Sequence, residues 1–240
     1  MRPHGKKGKK MHEGRADRDS QFIMLGLIHG DPEGMAILAR SLERLRPDVI
    51  TLEFSRYGLH FRQMNGACLK KRLRDAVRSM GLMAGEHQCP APLQSLLSYL
   101  SLPYEFTAAS DYSQRTGVSL HLVDGDLFSW LRLRDVDKVV DRDNLEALAR
   151  SPEDSTTSER VREKVLAELF FERGIKTNLY TEEMYIRDSL MRDRISLLMD
   201  YHGPGRYLHL CGWRHLVDPH NVFGSLKPVK VFMYDRAFRV

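Results

Sequence analysis

Cysteine is scarce in this chain: Cys68, Cys89 and Cys211 are the whole set in 240 residues, an odd number with no Cys-x-x-Cys spacing. Such a set supplies neither a disulfide framework nor a thiolate zinc site. It suits a reducing compartment, so a cytoplasmic location is expected. Long apolar runs are missing too. No segment reaches the ~18 apolar residues of a membrane span, and the charged stretch before Gln21 holds no apolar block of a signal peptide. Neither a membrane segment nor a secretion signal is expected. Also absent are a His-Glu-x-x-His helix, a Walker loop and a Gly-x-Ser-x-Gly elbow. Their absence removes the commoner zinc-peptidase, nucleotide-hydrolase and serine-hydrolase readings.

Hydrophobic residues make up 42% of the chain, enough at this length to bury a substantial core in one large domain. The net charge is +5, yet Arg2, Lys6, Lys7, Lys9 and Lys10 crowd into the first ten residues without an acid, leaving the rest close to neutral. Residues 1–20 carry almost nothing apolar and cannot offset the entropy of ordering. They are expected to be a basic disordered tail. Phosphate neutralisation would let such a tail touch nucleic acid, but no aromatics interleave the charges, and a solubilising end is the simpler reading. Residues 21–240 are expected to form a single domain.

From Gln21 the pattern becomes β-α-β. Gln21–Ile28 is a nearly continuous apolar run, as a strand buried on both faces requires. Asp31 reads as a helix cap, Pro32 as the first helical residue, and Met35, Leu38, Leu42 and Leu45 recur on one helical face until Pro47. Asp48–Phe54 supplies a second strand, expected to lie parallel and next to the first. Residues 59–117 lack strand signals and read as a helical insertion. Val118–Val123 is a third strand. Helical stretches follow over Leu127–Arg150, Ser158–Arg173 and Thr181–Tyr201. In the last, Thr181 caps and Met184, Met191, Ile195 and Leu198 share a face. Tyr207–Cys211 and Val229–Tyr234 are the fourth and fifth strands. The fold class that results is α/β: a central, largely parallel sheet of about five strands with flanking helices and a helical insertion.

Two strand ends carry the same chemistry. Gly26-Leu27-Ile28-His29 ends the first strand and Gly212-Trp213-Arg214-His215 follows the fourth. Ligands of open α/β sheets gather at the carboxyl ends of the strands, and imidazole is the commonest metal ligand and acid/base group near neutral pH. Each histidine alone reads equally as a turn or helix-cap residue. Glu53 ends the second strand, where it would join the histidines or pair with Arg56 or Arg62. If the preceding strands are neighbours, His29, Glu53 and His215 converge as an N,N,O set suited to zinc, manganese or cobalt. Asp124 and Asp126, after the third strand, reach the same edge, or Asp126 simply caps the next helix. Arg187 points to a substrate or to Glu53, or forms surface ion pairs with Asp188 and Asp193. His209, inside a strand, reads as a core or sheet-face histidine.

The order of these elements resembles the TraB/Tiki family, within the wider group that includes ChaN-like haem proteins and erythromycin esterases. The resemblance spans roughly Gln21 to Val240. It rests on Gly26–His29; on Arg46-Pro47-Asp48 leading to Glu53; and on Glu105 ahead of Ala108 and Ala109. It continues through Val123-Asp124-Gly125-Asp126, Arg187-Asp188-Ser189-Leu190-Met191 and Gly212–His215. Gly125 stands where the family has arginine, and Ile186 where an acid commonly precedes the Arg-Asp pair. The resemblance implies a metal-dependent, metalloprotease-like hydrolase acting on a peptide or ester. Its metal would be held by His29, His215 and Glu53 with Asp124 as a further ligand, and Glu53, Glu105 and Arg187 would serve catalysis. The alternative is a non-catalytic protein of the same fold that binds a ligand such as haem or a regulatory partner.

Overall fold

The computed structural model describes residues 20–81, 91–150, 156–173 and 180–235; residues 1–19 of the expected basic tail, and Cys89, lie outside them. Strands β1 (Gln21–Leu27), β2 (Val49–Leu52), β3 (Ser119–Leu122), β4 (Arg206–Gly212) and β5 (Val229–Phe232) form one sheet ordered β3-β2-β4-β1-β5. Every pairing is parallel, so the α/β class and five strands are as expected. The two longest apolar runs, Phe22–Leu27 and Tyr207–Gly212, are buried throughout and take central places. The shorter β3 and β5, partly open, form the edges.

One expectation is corrected here: β1 and β2 are not adjacent, because β4 lies between them. Helix α1 (Gly34–Leu45) therefore crosses over one strand. The local pattern predicted the crossover, but the neighbour was settled by a strand more than 150 residues further on, whose apolar run needs cover on both faces. Right-handed connections that cross a sheet in opposite directions put their helices on opposite faces. The β1-to-β2 and β3-to-β4 connections do this, giving three layers. Chains also leave the adjacent β1 and β4 in opposite directions, which opens a crevice at their carboxyl ends.

Helix α1 begins later than the Asp31–Pro32 signal suggests. Gly30 turns the chain at φ 69°, Asp31 accepts from the Glu33 amide at 3.1 Å, and the helix starts at Gly34. Asp31 spends its side chain on a local turn ahead of the helix. Leu38 and Leu42 are fully buried, as the periodicity predicts.

The central helical region comprises α2 (Arg56–Ser79), α3 (Ala91–Tyr99) and α4 (Tyr104–Thr116). Ala108, Ala109 and Tyr112 of α4 belong to the main core, so α4 is part of the sheet's cover. Helices α2 and α3 instead build a second apolar cluster. Its other side comes from the stretch expected as one helix over Leu127–Arg150, which is three: α5 (Asp126–Leu133), α6 (Val136–Val139) and α7 (Arg142–Ala149). The chain bends at Asp135 and Asp141, weak helix formers. A straight helix would rotate Leu145 away from Val136 and Val140; the bends let all three enter the second cluster.

The return to β4 uses α8 (Thr156–Arg173) and α9 (Glu182–His202). Thr181 caps α9 as expected, its hydroxyl accepting from the Met184 amide at 3.2 Å. Beyond β4, α10 (Arg214–Val217) is one turn long. Among the described residues no helix is long and apolar enough to cross a membrane.

Candidate functional site

Strand register decides which side chains meet. Leu27 of β1 pairs with Gly212 of β4, and Leu52 of β2 with Leu210 of β4. The ladder runs one step further: the Glu53 amide donates to Leu210 O at 2.8 Å and the Trp213 amide to Leu27 O at 2.9 Å. His29, Glu53 and His215 thus emerge from three adjacent strands at one edge. Asp124 follows β3, its amide donating to Phe54 O at 3.3 Å.

Glu53 is the centre of the arrangement. Its Oε1 accepts from Arg187 Nη2 at 2.5 Å and stands 3.0 Å from His215 Nε2, while Oε2 accepts from the Gly212 amide at 2.8 Å. Arg187 also donates to both oxygens of Asp124, at 3.2 and 2.8 Å. His215 Nδ1 lies 2.5 Å from Asp188 Oδ1, and Asp188 Oδ2 accepts from the Tyr180 hydroxyl at 2.6 Å. On the other wall, His29 Nδ1 lies 2.5 Å from Glu105 Oε1. Glu105 sits in the first turn of α4, where the helix dipole favours a carboxylate. Its Oε2 is buried without a hydrogen-bond partner among the described residues.

The two histidines are therefore built alike. In each, Nδ1 faces a buried carboxylate and Nε2 remains for the shared space. A side chain on Gly212 would close that space: a Cβ there would stand 2.7 Å from His29 Nε2 and 3.6 Å from Glu53 Oε2. The glycine of the second Gly-x-x-His element is thus the floor on which the two walls meet.

Four carboxylates (Glu53, Glu105, Asp124, Asp188) face three cationic or protonatable groups (Arg187, His29, His215). Burial opposes charge on His215, but Glu53 and Asp188 outweigh it and push its pKa up to about 10. Burial likewise opposes the charge on Glu53, yet His215, Arg187 and His29 hold its carboxyl well below the usual range. Burial opposes charge on His29 as well, but Glu105 and Glu53 outweigh it and the net direction is up.

Several sequence readings are settled by this geometry. Arg187 and Asp188 are not surface ion pairs: they are 7% and 0% exposed and face Glu53 and His215, while Asp193 pairs outside with Arg192. Glu53 pairs with Arg187, not with Arg56 or Arg62. Asp126 binds the Tyr57 amide at 2.8 Å, holding the start of α2 rather than joining the site. His209 is a core residue, as expected, with Nδ1 3.0 Å from the Thr51 hydroxyl. The reading from sequence missed Asp188 and Tyr180 as site residues; Gly212, read as a turn glycine that lets the backbone approach a ligand, does leave that room. A signal for Asp188 was present. The apolar stripe Met184, Met191, Ile195, Leu198 skips one turn, and the position four after Met184 on that stripe is Asp188.

Two clefts open from the site, one of about 590 Å³ toward the helical insertion and one of about 520 Å³ toward α9 and α10; His29, Glu53 and Arg187 line both. Two imidazole nitrogens and a carboxylate make a donor set that suits zinc, manganese or cobalt. Their carboxylate-held Nδ1 atoms match the outer partners that orient metal-binding histidines. As arranged, Glu53 is satisfied by protein donors. Among the described residues no group of three or more His, Cys, Asp and Glu side chains is set around a common ion position. His215 Nε2 stands 3.0 Å from Glu53 Oε1, an ion pair when the ring is protonated. Comparison with protein-family models, curated proteins and solved structures finds no match to this chain.

Proposed function

We propose that this chain is a metal-dependent hydrolase of TraB/Tiki type acting on an amide or ester carbonyl, with a divalent ion held by His29, His215 and Glu53. One observation supports it above the others: the paired His29–Glu105 and His215–Asp188 contacts, which leave two Nε2 atoms and the Glu53 carboxylate at one strand edge. A divalent ion there would supply Lewis acidity toward a carbonyl oxygen and toward water. The residues prepare for it. Glu105 and Asp188 hold the Nδ1 protons, so each ring directs its other nitrogen inward. His215 and Arg187 together keep Glu53 ionised, and Arg187, through Asp124, fixes it in place; the Arg187 Nε and Nη2 atoms are engaged with these two acids, which makes it a positioning residue. Glu105 Oε2, without a partner among the described residues, is the oxygen to receive a proton during hydrolysis. Asp124 is held by Arg187 and serves as its anchor rather than as a ligand.

Elemental analysis of the purified protein tests this reading. Stoichiometric metal in the wild type, lost in both His29→Ala and His215→Ala, is the expected result. A metal-free wild type, or unchanged metal in both variants, overturns it. The closed set of partners around Glu53 favours a second reading, a non-catalytic protein that binds its ligand in the same clefts. That reading gains if the wild type is metal-free.

A further inference from the structure

We infer that the cleft on the insertion side receives a substrate carboxylate on Arg62, which makes Arg62 a specificity-determining residue. The inference rests on reading this cleft as the substrate site. Most of the charges that line the cleft already have a protein partner. Glu53 and Asp124 are held by Arg187, Glu105 faces His29, Asp31 accepts from the Tyr234 hydroxyl and Arg132 pairs with Glu183. Arg62 is the exception: among the described residues it meets no acid. Its Nε donates to Tyr99 O at 3.1 Å and Nη1 to Gly58 O at 3.1 Å, and the guanidinium lies over the Phe54 and Tyr99 rings at 5.4 and 5.3 Å.

That geometry describes a prepared receptor. A guanidinium has five N–H donors, and backbone carbonyls take two of Arg62's, leaving donors on Nη1 and Nη2. Two aromatic faces and two carbonyls set the plane of the fork, so little freedom is lost when an anion docks. Burial without an acid pushes the Arg62 pKa down, as an uncompensated charge requires. Phe54 follows Glu53 directly on the chain, which ties this receptor to the site's central carboxylate. A planar fork with paired donors suits a carboxylate, from an acidic side chain or from a peptide's C-terminus.

Calorimetric titration with three small probes tests this without recourse to turnover. N-acetylglutamate α-amide carries a side-chain carboxylate, N-acetylglutamine a terminal one, and N-acetylglutamine α-amide neither. At least one acid should bind roughly tenfold to a hundredfold tighter than the neutral amide, as charge-assisted hydrogen bonds allow. Which acid does so identifies the source. In Arg62→Met the preference should vanish, in Arg62→Lys it should survive in part, and in His29→Ala it should persist. Equal binding of all three probes, binding by none, or an unchanged preference in Arg62→Met overturns the inference. Metal analysis of the same preparations separates the two readings. A metal-free protein that still prefers an acid defeats the hydrolase reading alone, and a metal-bearing protein without the preference defeats this one alone.

Discussion

His209 and His215 lie six residues apart, one in the middle of β4 and one just past its end, at 0% and 4% exposure, yet they hold protons oppositely. Burial pushes His209 down to about 4, while His215 is pushed up to about 10. Depth is not the difference. His209 faces the Thr51 hydroxyl and the rings of Phe22 and Phe223, a neighbourhood that offers a neutral imidazole packing and one hydrogen bond. His215 stands between two carboxylates, Glu53 from the end of β2 and Asp188 from α9. Within a parallel sheet the ladder occupies the backbone and both faces are covered by apolar side chains. Only where the strands end can carboxylates from several elements converge. The same residue type is core filling in one place and part of a charged framework six residues further on.

The contrast is most easily broken by removing its cation. Arg187→Met leaves Glu53 and Asp124 buried without the guanidinium they share, and a loss of about 3–5 kcal/mol in urea unfolding is expected; a loss below about 1 kcal/mol would show that the edge does not depend on this ion pair. Next is the core histidine. His209 binds its proton less readily folded than unfolded, so the unfolded chain takes up protons first. Its contribution to stability is complete above pH 6.5 and falls as pH drops from 6.5 to about 4. Across that window the loss from this group should reach at most about 3 kcal/mol. The loss should be absent in His209→Met, and parallel pH profiles of the two proteins would refute it.

Asp188→Asn sharpens the other half of the comparison by removing the charge at His215 Nδ1 while keeping a hydrogen-bonding side chain. On the proposed metal site, affinity for the ion should fall roughly 10- to 100-fold, as read by competition with a chelator; undiminished affinity would mean that Asp188 orients nothing. The smallest effect belongs to the cap of α9. Thr181→Ala should cost about 1 kcal/mol of stability with metal content unchanged, since it weakens the helix without touching either ring. A change in metal content would tie the cap to the site.

Much of the site was legible from the chain alone. His29, Glu53, Asp124 and His215 follow apolar runs, and a strand-end polar residue in an α/β pattern points to the crevice by rule. The five strands were legible for the same local reason. Less legible were the partners. Asp188 interrupts an apolar stripe, a visible sign, but next to Arg187 it reads as half of a surface pair. Gly212 reads as a turn glycine with room for a close approach, but that His29 fills this room is set by the tertiary fold. The break of Leu127–Arg150 into three helices hinges on a second apolar cluster whose other half lies on α2 and α3.

Local order, then, was written in the sequence: which segments are strands, where helices start and stop within a few residues, and which side chains stand at strand ends. The strands, the strand-end residues and the bounds of α1, α8 and α9 follow from periodicity, capping and backbone restriction, which act over a few neighbouring residues, whereas the breaks between α5, α6 and α7 do not. Tertiary structure alone decided that β4 separates β1 from β2 and that each histidine faces its own carboxylate. It also decided that Arg187 lies inside while Arg62 meets no acid. These depend on contacts between residues far apart on the chain, 76 residues for His29 and Glu105 and 134 for Arg187 and Glu53. Such pairings are set by the packing of whole layers, and no local pattern records them.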